Sequence, residues 1–293
     1  ALFAVAKQGS QGGVAMYEIE GDGSLSLRDI RLSEGSSPCH VSVNPSRTQV
    51  VAAYYHRGTA EAFPLVNGTL GRNSAVTSHA GSGPNKDRQE KPHIHFTGYT
   101  TDEKFIIAVD LGTDEVVTYT ANEEKWDRVH TLSVRPGSGP RHIAFHPDGK
   151  HAYVMTELSN QVIVLDYDQT TGRFTEKQYI RTIPEDFTDN NQGSAIHVSK
   201  DGRFLYAGNR GHDSIAVFSI EPKTGLLSLI ELTPSAGSWP RDFTLDPTGH
   251  FLIGSNQESH NLVLFARDPE TGKLTKKDSE IHVPYPVCVK FAE

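Results

Sequence analysis

Arg141-His142-Ile143-Ala144-Phe145-His146-Pro147-Asp148-Gly149-Lys150-His151-Ala152-Tyr153-Val154-Met155-Thr156-Glu157 is the stretch whose reading decides the fold. It opens as a short alternating run, Arg141 to His146. Pro147-Asp148-Gly149-Lys150 then supplies turn residues, Pro and Gly setting the backbone angles. Ala152 to Thr156 is a second run. Ser159-Asn160 turns the chain again into Gln161 to Tyr167, rich in β-branched residues. Gln169 to Arg173 reads as a hairpin turn, and Phe174 to Ile183 is a fourth, more polar run, as an outer edge strand should be. These four predicted strands are labelled A to D.

The phrase returns along the chain. Strand B recurs as Ala1 to Lys7, Gln49 to Tyr55, Phe105 to Leu111, His151 to Glu157, Phe204 to Arg210 and Phe251 to Gln257, about every fifty residues. Ser199-Lys200-Asp201-Gly202-Arg203 and Asp246-Pro247-Thr248-Gly249-His250 repeat the turn before it. Helical periodicity is absent. A period of about 40–50 residues with several short strands per unit predicts an all-β chain, a β-propeller of four-stranded antiparallel blades. Six units are present, and no linker divides them, so 1–293 reads as one propeller domain. The last run, Pro286 to Phe291, reads as a strand A that completes a blade begun at the N-terminus.

The chain has 293 residues, 36% hydrophobic and 22% charged, with a formal charge of −8. That acidic balance, without a basic run, argues against nucleic acid or an anionic membrane as partner. No apolar stretch approaches the roughly 18–20 residues of a membrane helix, and no signal peptide is visible, so a cytoplasmic setting is expected. Cys39 and Cys288 lie in apolar runs and read as buried free thiols rather than a disulfide framework.

A propeller brings equivalent positions of its repeats to one end, near the axis. At the end of strand B these are Lys7, Tyr55, Leu111, Glu157, Arg210 and Gln257, preceded by Ala6, Tyr54, Asp110, Thr156, Asn209 and Asn256. At the start of strand A they are Cys39, His95, Arg141, Ser194, Arg241 and Val287. Half are charged, imidazole or amide, where a purely structural ring would repeat small or apolar residues. The set offers an acid–base pair, His95 or its neighbour His93 with Glu157, and three guanidiniums, Arg141, Arg210 and Arg241. Imidazole and carboxylate move protons near neutral pH when their surroundings tune them. Arginine grips carboxylate or phosphate and stabilises an oxyanion. No Gly-x-Ser-x-Gly elbow supports a serine hydrolase. Proton transfer or water attack on a small anionic substrate fits best.

Other signals are weaker. His93 and His95 share a strand face, but no third metal ligand is evident at suitable spacing, so no metal is expected. Gly81-Ser82-Gly83-Pro84-Asn85-Lys86 lacks the spacing of a phosphate loop and reads as a flexible loop. Trp126-Asp127 occurs without a Gly-His partner, and Asn67-Gly68-Thr69 reads as a turn. His40, His142 and His197 lie in A strands, as core or hydrogen-bonded residues do.

Motifs across nearly the whole chain carry a resemblance. They are Gly81 to Asn85 followed by Pro92-His93-Ile94-His95, Val109 to Asp114, Gly137 to His142, Met155-Thr156-Glu157, Gly208 to Gly211, Trp239 to Phe243, Asn256-Gln257 and Pro286 to Phe291. Together they resemble the propeller-type 6-phosphogluconolactonases of bacteria, and the chain is also similar to the fungal carboxymuconate-lactonising enzymes of that fold. The resemblance implies seven blades, hydrolysis of 6-phosphoglucono-δ-lactone, and no metal or cofactor. It implies that the catalytic residues fall on His93 or His95, Arg141, Glu157 and Arg210. Arg241, Asn209, Asn256, Gln257, Asp110 and Tyr55 would complete a pocket for a phosphorylated or carboxylated sugar-lactone-like substrate. The family carries about one more blade before this start, so an N-terminal blade is expected to be missing or truncated. A muconate cycloisomerase and a non-catalytic binding propeller remain open alternatives.

Overall fold

The computed structural model describes residues 1–121 and 125–292, and among them every regular element is a β-strand. The strands form six antiparallel sheets in chain order. The first holds Leu2–Gln8, Gln11–Ile19 and Leu25–Glu34. The second runs His40–Val43, Gln49–Tyr54 and Thr59–Val66, and its outer position is split between Thr69–Leu70 and Ala75–Ser78. The third holds Ile94–Tyr99, Phe105–Asp110, Glu115–Thr120 and Arg128–Ser133. The fourth holds Pro140–Phe145, His151–Thr156, Gln161–Asp168 and Arg173–Arg181. Gln192–Val198, Phe204–Arg210, Ser214–Ile220 and Leu227–Pro234 form the fifth, and Pro240–Leu245, Phe251–Asn256, Asn261–Arg267 and Leu274–His282 the sixth.

Four-stranded blades were expected throughout. The first sheet has three strands, and Pro286 to Phe291, read as a strand A, forms no strand. The expected burial of the cysteines also fails, since both are exposed and unbridged. An exposed position faces water on one side even where its strand neighbours are apolar.

The turns follow their sequence chemistry. In the A–B turns Gly149, Gly202 and Gly249 sit at φ 69°, 70° and 74°, where a side chain is disfavoured. Asp148 Oδ1 accepts from Lys150 N at 2.7 Å, and Asp201 Oδ1 from Arg203 N at 3.0 Å. In the C–D hairpins Asp168, Glu221 and Asp268 each take the amides two and three residues on. Those bonds hold all three acids below the usual carboxylate range.

Contacts group the chain into two compact units, residues 1–140 with 168–174, and residues 141–167 with 175–293. In the first, Val14, Met16, Val50 and Tyr54 pack the first sheet on the second, and Val51, Ile94, Ile106 and Tyr119 pack the second on the third. In the second unit the period of two decides everything. Leu205, Ala207, Ala216 and Phe218 of the fifth sheet face the fourth, whereas Phe204, Tyr206, Ile215 and Val217 face the sixth. Strands buried on both faces need continuous apolar sequence rather than alternation, which is why Phe204 to Ala207 and Ile215 to Phe218 read as they do. Each buried Phe or Leu contributes roughly 1.5–3 kcal/mol of transfer free energy.

Candidate active site

In the second unit the site begins with a glycine. A Cβ at Gly193 would lie 2.2 Å from Thr156 O, so only glycine lets the fifth sheet come this close to the end of the fourth. Gly193 N then donates to Glu157 O at 3.2 Å. Just after it the pairing with the neighbouring strand shifts register, between Gly193 and Ile196. The backbone carbonyls of Gly193 and Ser194 are left to accept from guanidiniums. Arg210 Nη2 donates to Gly193 O at 2.6 Å, and Arg141 Nη1 to Ser194 O at 2.7 Å.

Between the two arginines lies Glu157. Its Oε2 accepts from Arg141 Nε at 3.1 Å and from Arg210 Nη2 at 2.7 Å. Each of the three residues is 3% exposed. Two guanidiniums thus converge on one carboxylate oxygen in a buried place, where an ion pair needs good hydrogen-bond geometry. The indole of Trp239 lies 5.7 Å from the Arg210 guanidinium carbon, a cation–π contact. Trp239 itself sits at φ 63°, a strained region for a bulky residue, and Gln257 N is bonded to its carbonyl at 3.0 Å.

The remaining expected residues of this unit divide. Arg241 is the extra residue of a bulge, since Pro240 pairs Asn256 and Asp242 pairs Ser255. It is half-buried, and no hydrogen bond or ion pair holds its guanidinium among the described residues. Asn256 donates to Ser235 O at 3.1 Å, while its Oδ1 and the Oε1 of Gln257 are buried acceptors without a donor. Asn209 was expected in the same pocket. It is fully buried, and its amide is spent on Thr182 Oγ1, Thr182 O and Ser214 Oγ.

The first unit gathers Tyr55, His93 and His95. Tyr55 stacks on the His93 ring at 4.2 Å and meets His95 edge-on at 5.6 Å. His93 has both ring nitrogens engaged, Nδ1 with Tyr55 O at 3.1 Å and Nε2 with Glu90 Oε2 at 3.0 Å. The latter bond holds the Glu90 carboxyl below its ordinary range. His95 is the bulged residue of its strand, because Val109 pairs Phe96 and Asp110 pairs Ile94. The Cys39 thiol lies 3.9 Å from its Nδ1. Bulges re-aim side chains next to functional sites, and here they carry His95 and Arg241, two positions that the strand-A alignment singles out.

Asp110, also expected to line the pocket, is held by backbone amides. Its carboxylate is wholly buried and accepts from the amides of His93 (2.7 Å), Gly112 (2.8 Å) and Thr113 (3.2 Å). Its other oxygen pairs with His79 Nδ1 at 2.6 Å, and His79 Nε2 continues to Tyr119 OH at 2.7 Å. Asp110 therefore fixes the loop that carries His93. His79 was missed because nothing in its own stretch, Thr77-Ser78-His79-Ala80, marks it. The Gly81 to Lys86 segment, expected to be flexible, is pinned: Gly83 N and Gln89 N bond to Gln89 O and Asn85 O at 2.9 and 2.7 Å, and Gln89 Nε2 reaches Leu111 O at 2.8 Å.

Repeated four-stranded antiparallel sheets define a β-propeller. The chain belongs to the lactonase family of seven-bladed β-propellers, whose description, "Lactonase, 7-bladed beta-propeller", matches residues 1–291. It is 51% identical over 292 residues to the 6-phosphogluconolactonase of Bacillus subtilis, covering 99% of this chain and 83% of that one. A crystal structure of a Lactobacillus plantarum protein superposes with a TM-score of 0.95 at 38% identity, covering 99% and 84%. The periplasmic gluconolactonase of Pseudomonas aeruginosa superposes with a TM-score of 0.92 at 29% identity, covering 99% and 85%.

Proposed function

We propose that this chain hydrolyses 6-phosphoglucono-δ-lactone to 6-phosphogluconate, a step of the pentose phosphate pathway, in a cytoplasmic setting. The observation that carries the reading is the pair of buried guanidiniums, Arg141 and Arg210, held together by Glu157. Water adds to the lactone carbonyl, the carbonyl oxygen becomes an oxyanion, and the ring C–O bond then breaks with its oxygen taking a proton. Arg141 and Arg210 are assigned to the developing oxyanion, where positioned donors are worth about 2.7–4 kcal/mol. The guanidinium of Arg241, unpartnered among the described residues, is assigned to the phosphate by its fork geometry, with Asn256 and Gln257 accepting from sugar hydroxyls. Glu157, bound by two guanidiniums, serves to orient them rather than to take a proton.

The test is a coupled assay with freshly generated 6-phosphogluconolactone, with the spontaneous rate subtracted. Unphosphorylated gluconolactone and a carboxymuconate run in parallel. Preference for the phosphorylated lactone supports the reading. Equal rates on the unphosphorylated one would remove the phosphate role of Arg241, and turnover of the muconate alone would replace hydrolysis by cycloisomerisation.

A further inference from the structure

A second cluster lies at the other end of the fourth sheet. Strand Pro140–Phe145 runs away from Arg141, turns at His146-Pro147-Asp148-Gly149-Lys150, and returns as His151–Thr156 toward Glu157. The turn carries two imidazoles and a carboxylate whose ligand atoms all lie within 4.8 Å of one another. His146 Nδ1 is 3.0 Å from Asp148 Oδ1, and His151 Nδ1 is 2.7 Å from Asp148 Oδ2. Donors bound to one ion at ~2.0–2.2 Å stand roughly 2.8–3.6 Å apart, so small side-chain adjustments suffice.

The imidazoles are also oriented as ligands are. His146 Nε2 faces Gly202 O at 2.9 Å, which makes Nε2 the donor and leaves the lone pair on Nδ1. His151 Nε2 faces Asp166 Oδ1 at 3.5 Å, and Asp166 is held in turn by Lys177 Nζ at 3.1 Å. A carbonyl or carboxylate behind the non-ligating nitrogen is the usual support of a metal-bound histidine. Both rings are seated against glycines of the fifth sheet's turns. A Cβ at Gly202 would lie 2.7 Å from His146 Nε2, and one at Gly225 would lie 2.5 Å from His151 Cδ2. His151 is 7% exposed, while Asp148 is open to solvent, so a built inner wall has an open mouth.

We propose that His146, Asp148 and His151 bind one borderline divalent cation, zinc(II) or nickel(II) and cobalt(II) of similar preference. Two nitrogens and one carboxylate oxygen suit those ions and not magnesium or calcium, which want an all-oxygen shell. Water completes the coordination from the open side. The Asp148 amide donates to His146 Nδ1 at 3.1 Å and must give up that lone pair, which weakens binding. The ion joins strands A and B of the fourth sheet at the turn that rests on Gly202 and Gly225. Its role is to stabilise this unit. It is separate from lactone chemistry, because the turn lies at the opposite end of both strands from Arg141 and Glu157.

The experiment is isothermal titration of chelator-treated protein with zinc chloride, followed by thermal melts with and without zinc. Wild type should bind one ion and melt several degrees higher with it. Asp148→Asn and His146→Ala should each weaken binding at least tenfold and abolish the shift, with lactonase activity unchanged. Cobalt(II) should show a ligand-field absorption that both variants lose. His151→Gln is the third variant, and a failure of this buried position to fold leaves the other two decisive. No saturable binding in wild type would overturn the proposal, as would binding of equal affinity in wild type, Asp148→Asn and His146→Ala.

Discussion

Arg210 and Glu157, 53 positions apart in sequence, meet at 2.7 Å with both side chains buried, and the same Arg210 nitrogen also donates to Gly193 O. One guanidinium thus binds a carboxylate and the backbone that carries the neighbouring arginine's partner. Removing Glu157 leaves two buried cations facing each other. Removing one partner of such a pair costs about 3–5 kcal/mol. Glu157→Ala should therefore lose both activity and stability, whereas Glu157→Gln keeps the shape and loses mainly activity. Melting curves beside kcat/KM for the two variants separate these effects.

Gly193→Ala should be as damaging as a change to a charged residue. Its Cβ meets Thr156 O at 2.2 Å, and backbone on backbone cannot move aside cheaply. The fifth sheet must retreat, carrying the carbonyls that hold Arg141 and Arg210. The expected result is a loss of kcat/KM of about 10²-fold with a lower melting temperature. Gly21→Ala, where nothing lies within 4 Å, is the control and should melt like wild type.

His197 gives stability a pH dependence. Desolvation, followed by the charge of Lys290, pushes its imidazole down to about 4 from an ordinary 6.5, against the opposing charge of Asp242. Below the unfolded value the unfolded chain binds a proton that the folded chain refuses. Stability is therefore full above about pH 6.5, falls as pH drops toward about 4, and levels off there, by at most about 3 kcal/mol. His197→Phe should flatten that slope. Urea titrations of both proteins between pH 7 and about 4 give the comparison. The turn acids Asp168, Glu221 and Asp268, held low, act in a lower window and are common to both proteins.

Cys288 is exposed yet crowded by protein on its other sides. Desolvation, with the Asp242 carboxylate beside it, pushes its thiol up to about 12. The thiolate is the reactive form, so iodoacetamide should label Cys288 far more slowly at pH 7.5 than a free cysteine. Peptide mapping of a timed reaction reads this directly, and labelling at the free-cysteine rate would contradict the environment described.

The repeat was legible because each blade obeys local rules. The Pro-Asp-Gly-Lys turn needs a positive φ at Gly149, and strands buried on both faces need runs such as Phe204 to Ala207. The alignment also placed Glu157 and Arg210 at the end of strand B and Arg141 at the start of strand A, and all three meet within one unit. It could not show which way a side chain turns. Asn209 and Asn256 occupy the same position, yet the first is consumed by Thr182 and Ser214 while the second keeps an unpaired Oδ1. Bulges were equally invisible, because an extra residue at His95 or Arg241 leaves no mark in composition. The failure at Pro286 to Phe291 has the same origin. An apolar run makes a strand only where a partner edge accepts its hydrogen bonds.

The most direct measurement is the hydrolysis rate of freshly made 6-phosphogluconolactone by wild type and Arg210→Ala side by side, with the uncatalysed rate subtracted and folding of the variant confirmed by its melt. A loss of kcat/KM of about 10²-fold or more in a folded variant is the result predicted. Turnover at the wild-type rate in folded Arg210→Ala would contradict it.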